Sequence, residues 1–92
     1  MKGKAIVYYT DGHSEELDHK PTMKELQKLV GGYIEIVVRT VFNPTFVGQM
    51  IVNEDGVSMN LPVNAYGTTI YGWSSMPIVG NIIILTGNWM LN

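Results

Sequence analysis

The chain has 92 residues, enough for one hydrophobic core and too few for two, so residues 1–92 are expected to form a single domain. It is 46% hydrophobic and only 15% charged, against about 25% charged in a typical soluble domain, and so sparse a charged surface favours covering by a second copy in a homo-oligomer. The net charge is −2 and the six Lys and Arg lie in the first 39 residues, which argues against nucleic acid as a partner; the absence of cysteine excludes disulfides, thiolate nucleophiles and the common zinc fingers.

Met1-Lys2-Gly3-Lys4 begins basic, but the apolar run behind it, Ala5 to Tyr9, is too short for a signal peptide. Ile82 to Leu85 is far below the ~18 residues needed to cross a bilayer. No membrane is expected as a partner, and the expected location is cytoplasmic.

Lys4 to Tyr9 is rich in β-branched and aromatic residues and ends at Asp11-Gly12, a strong turn dipeptide, which predicts a first strand and a weak return through Glu15-Glu16-Leu17. Thr22 stands three residues before Glu25, the capping-box spacing, and Met23, Leu26, Leu29 and Val30 then repeat at helical period until Gly31-Gly32. This predicts one short helix. Tyr33 to Thr40 predicts a strand with Ile34, Ile36 and Val38 towards the core and Tyr33, Glu35, Val37 and Arg39 on the other side.

After the turn signal Asn43-Pro44, Phe46 to Asn53 reads as a further strand, and Asn53-Glu54-Asp55-Gly56 reads as a hairpin turn into Val57-Ser58-Met59. Asn60 to Asn64 contains a proline that cannot donate to a ladder, so a loop or edge is expected there. Between Ala65 and Ser75, Tyr66, Ile70 and Trp73 sit at helical spacing whereas Thr68 to Tyr71 favour strand; a short helix or turn is the preferred reading. Ile82 to Thr86 is unbroken in apolar character up to its last residue and predicts a central strand buried on both faces, followed by the apolar tail Trp89-Met90-Leu91. The fold class is therefore α+β: a small antiparallel or mixed sheet of five to six strands with one clear short helix.

Few residues carry chemistry. His13 and His19, with Asp11, Glu15, Glu16 and Asp18 nearby, are the right ligand types for a divalent metal or for a small metal-dependent hydrolase, but nothing in their spacing brings them to one point, and a solvated polar turn is the plainer reading. No metal, cofactor or catalytic residue is assigned. None of the four serines lies in a Gly-x-Ser-x-Gly context. Gly31-Gly32 follows a helix instead of opening one, which makes it a helix stop and not a phosphate cradle. The last third carries no charge after Asp55 and holds Tyr66, Tyr71, Trp73 and Trp89 beside Asn60, Asn64, Asn81 and Asn88, a composition that suits either the core of a small domain or recognition of an uncharged partner.

The order Val30-Gly31-Gly32-Tyr33-Ile34-Glu35, Val52-Asn53-Glu54-Asp55-Gly56, Leu61-Pro62-Val63-Asn64 and Ile78-Val79-Gly80-Asn81 resembles a family of small phage and bacterial proteins known only as a domain of unknown function. The resemblance runs from Thr22 to Leu85, with two departures: Asn81 stands where that family usually has Asp, and Phe42 to Met50 is extended. It implies the fold and a phage setting, and no catalytic residues. The expected function is a non-enzymatic binding protein acting on a host protein or small molecule in the infected cell. Its binding residues would be Gly32, Tyr33, Asn60, Asn64, Tyr66 and Trp73, around a pocket where Gly31, Gly32 and Tyr33 meet the loop Asn60 to Asn64. The alternative is an assembly role in which strand edges and the Trp89-Met90-Leu91 tail drive self-association.

Overall fold

The structure is a computed structural model that describes residues 2–38, 41–43, 46–72 and 76–91. Strand β1 (Lys4–Tyr8) turns through residues 9–13, where Gly12 takes φ +98° and the Tyr9 N–H donates to the His13 carbonyl at 2.9 Å, into the short, fully exposed strand β2 (Ser14–Glu16). Helix α1 (Met23–Val30) starts on the predicted capping box: the Thr22 hydroxyl accepts from the Glu25 N–H, and the Glu25 carboxylate accepts from the Thr22 N–H. It stops at Gly31 in the left-handed conformation (φ +85°), whose N–H and that of Gly32 both donate to the Gln27 carbonyl.

Strand β3 (Ile34–Val38) leads to a small hairpin of β4 (Val41–Asn43) and β5 (Phe46–Val47), then to β6 (Gln49–Asn53). Helix α2 (Ala65–Tyr71) and strand β7 (Ile82–Thr86) complete the fold, and a 3-10 turn, Gly87–Trp89, follows. The main sheet has the order β2-β1-β7-β6-β3 with every pair antiparallel, and β4 and β5 pair separately.

Strand β7 occupies the centre, and its pleat splits the core in two. Ile83 and Leu85 point to the α1 face with Ala5, Val7, Leu26, Val30 and Ile51; Ile82 and Ile84 point to the opposite face with Met50, Val52 and Ile78. The second face is packed by Ile70 of α2, which lies close because residue 67 is glycine: a Cβ there would meet Ile78 Cγ2 and Ile82 Cδ1 at 2.9 Å each. Two helices over one sheet explain the unbroken apolar run of β7.

The predicted sides of β3 hold for Ile34 and Ile36, which pack on the α1-side cluster, and Glu35, which is exposed; Val37, assigned to the outer side, packs on the second cluster. Arg39 lies outside the described residues. The predicted hairpin into Val57-Ser58-Met59 is not formed. Residues 54–60 are a succession of turns in which Met59 N–H donates to Asp55, Asn60 N–H to Val57 and Leu61 N–H to Gly56, because both ladder positions beside β6 already belong to β3 and β7.

Candidate functional site

Three asparagines hold the loops around the open end of α1. Buried Asn53 donates through Nδ2 to the Val30 carbonyl at 3.0 Å and accepts from the Asp55 N–H at 2.8 Å. Asn64 caps α2 by accepting from Gly67 N–H at 3.0 Å, and its Nδ2 donates to the carbonyls of Tyr8 and Gly80, each at 2.9 Å. Asn81 accepts from Thr10 N–H and donates to the Leu29 carbonyl, both at 3.3 Å. The last carbonyls of α1, which no intrahelical N–H can reach, are thus satisfied by side chains from two distant segments.

Between these ties lies an open cleft of about 300 Å³, lined by Thr10, Lys28, Leu29, Gly31, Leu61, Pro62 and Asn81 among others. Of the expected pocket, Gly31 and two residues of the 60–64 loop, Leu61 and Pro62, line this cleft, whereas Gly32, Tyr33, Asn60 and Asn64 do not. The remaining expected residues are dispersed. Gly32 abuts the Asn53 amide, and Tyr33 is 69% exposed, its carbonyl accepting from Glu54 N–H. Asn60 is exposed with φ +56°, while Asn64 is buried with both amide atoms bonded to backbone. Tyr66 stacks on Tyr8, ring centroids 3.8 Å apart, and burial followed by the Tyr66 hydroxyl holds the Tyr8 phenol well above its ordinary pKa. Trp73 lies outside the described residues.

A second concavity, on the α2 face, is a groove of about 220 Å³ whose floor and walls include Val37, Val52, Val57, Tyr71, Met76 and Ile78, with Glu35 as its one carboxylate. Met76 is 65% exposed, Val57 55% and Tyr71 42%, although the floor, Val52 and Ile78, belongs to the core. The groove is an apolar surface with a single negative point.

The acidic cluster separates into two brackets. Asp11 accepts from the His13 N–H, which holds its carboxyl below the ordinary range, and faces Nδ1 of the same ring at 2.5 Å; Tyr9 stacks on that ring and donates to Glu15. His19 has Asp18 on Nδ1 and Glu25 on Nε2, each at 2.7 Å. Carboxylates on opposite ring nitrogens favour the imidazolium, so the His19 pKa is raised, first by Asp18 and then by Glu25. They cannot converge on one ion, and among the described residues no group of three or more His, Asp or Glu is placed to hold a metal.

The family model described as "Domain of unknown function (DUF3846)" matches residues 1–88. The chain belongs to this family. No curated protein and no solved structure matches it. Within this DUF3846 chain, the segments that carried the resemblance in sequence are those joined by Asn53, Asn64 and Asn81, so much of the motif order serves to lock loops to α1 and β1. Asn81 needs both amide atoms for its two ties, since a carboxylate there could accept from Thr10 but could not donate to the Leu29 carbonyl. No helix among the described residues is long and apolar enough to cross a membrane. Sequence reasoning missed the groove, since Val57, Tyr71 and Met76 come from three segments with no shared motif; the one available signal was the chargeless stretch after Asp55.

Proposed function

We propose that this DUF3846 protein is a small phage-type binding module without chemistry of its own, which captures a host protein inside the infected cell through the groove on its α2 face. The observation that carries this reading is the exposure of Val57, Tyr71 and Met76 around a floor that is part of the core. Side chains of this kind over a buried base form the anchoring centre of protein interfaces. The phage setting is supported by the order of the four sequence motifs.

The test is capture from bacterial host lysate by the wild-type protein and by the double variant Val57→Lys/Met76→Lys. Both positions are exposed, so the variant should melt within a few degrees of wild type. A partner retained by wild type and lost by the variant supports the reading. Identical capture by both removes the groove from consideration.

A further inference from the structure

The groove lies beside the open edge of the sheet. Strand β3 is last in the order β2-β1-β7-β6-β3, and among the described residues no strand pairs with its outer side. The Tyr33 carbonyl accepts from Glu54 N–H, so residue 33 directs its backbone groups inward to β6. Alternation along a strand then turns Glu35 inward as well, and leaves the N–H and C=O of Ile34 and Ile36 facing out. The pleat sets the side chains the other way: Glu35 and Val37 line the groove with Val52, while Ile34 and Ile36 pack on the α1-side core.

We propose, building on the groove as a docking surface, that β3 takes an added antiparallel strand from a partner protein, with a Lys or Arg opposite Glu35 and apolar residues two positions to either side. Bonding to both Ile34 and Ile36 makes the residue opposite Glu35 the close, non-hydrogen-bonded pair, where side chains approach most nearly and opposite charges attract. Residues two places away on the same face extend over the apolar groove.

A second copy of this chain fits poorly. The two-fold register that uses Ile34 and Ile36 of each copy sets Glu35 directly against Glu35, a destabilising pair. A register centred on Ile36 runs into the irregularity between Ile36 and Val38. The other free edge, β2, is Ser14-Glu15-Glu16 and would bring carboxylates to a carboxylate. Charge complementarity therefore selects a basic, apolar-flanked strand of another protein.

Two capped peptides serve as probes, Thr-Val-Thr-Lys-Thr-Val-Thr and the same peptide with Glu at its centre, each titrated into the 92-residue chain and followed by amide NMR shifts. The Lys peptide should perturb the amides of Ile34 and Ile36 and bind wild type at least about tenfold tighter than the Glu peptide, with the order reversed in Glu35→Lys. If Glu35→Lys does not fold, Glu35→Gln should erase the preference. Absence of binding, equal binding of both peptides, or shifts confined to residues away from β3 would overturn the proposal, as would a wild-type dimer that protects the Ile36 amide from exchange. Loss of host-partner capture by the groove variant, with no peptide preference, would reject strand addition and leave the groove reading standing; identical capture with no peptide binding would reject both.

Discussion

Asn64 illustrates what one buried amide does in this protein. Its oxygen and nitrogen bond three backbone groups, from α2, from β1 and from the turn before β7, and its side chain is among the most fully buried. Substituting Asn64→Ala leaves those groups unpaired at a cost of about 1–3 kcal/mol each. The expected loss is about 3 kcal/mol or more, and the midpoint of thermal unfolding should fall by about 12 °C or more, measured by circular dichroism. Tyr33→Ala, at an exposed site, should change stability by no more than about 0.5 kcal/mol. The sequence marked both residues as binding candidates with equal force. What separates them is burial, which depends on Tyr8 and Gly80 arriving from elsewhere in the chain.

Helix α1 was legible because its signals are local: the capping box, the apolar period and the glycine stop all lie within eleven residues of sequence, from Thr22 to Gly32. The turns after Asn53 were not, because Asp55-Gly56 announces a reversal without saying whether a strand partner is vacant. At the start of α1, Glu25 both closes the capping box and faces His19. Its carboxyl is held below the ordinary range first by the Thr22 N–H and then by His19, and Asp18 is lowered chiefly by His19. The signs follow from linkage. The raised His19 pKa contributes stability that is complete below the ordinary imidazole value of 6.5 and is lost as pH rises through the folded value. The lowered Glu25 and Asp18 contribute above their ordinary values of 4.5 and 3.8, and the contribution is lost as pH falls through the folded values. The bracket is complete only in the mildly acidic window between. An NMR titration should place the His19 midpoint above 6.5 and bring it back towards that value in Glu25→Gln, with a smaller displacement in high salt because all three groups are exposed.

At the scale of the whole molecule, the sheet guards its ends unequally. β2 is three residues long and carries two Glu, whereas β3 relies on one carboxylate and a local irregularity. The apolar tail, a candidate for self-association in the sequence, is folded onto its own core: Trp89, Met90 and Leu91 pack on the α1-side cluster, and Gln49 both donates to the Leu91 carbonyl and accepts from its N–H at 2.6 Å. Gln49→Ala should release this segment, seen as faster amide exchange at residues 89–91 and an unfolding midpoint lower by several degrees, and deleting residues 87–92 should destabilise the fold more than it alters the number of copies. The position of β7 as the central strand was readable in its apolar run, but its neighbours were not, since antiparallel partners are set by long-range closure. That closure has a temporal side. β1 and β6 both wait for a strand that leaves the ribosome after either of them, so in a nascent chain not yet emerged beyond Thr86 the only native pairings open to the main sheet are β2 with β1 and β6 with β3, two-stranded pairs that are marginal on their own in water. Folding of this sheet therefore completes only after synthesis has passed β7, in one late step that joins the halves.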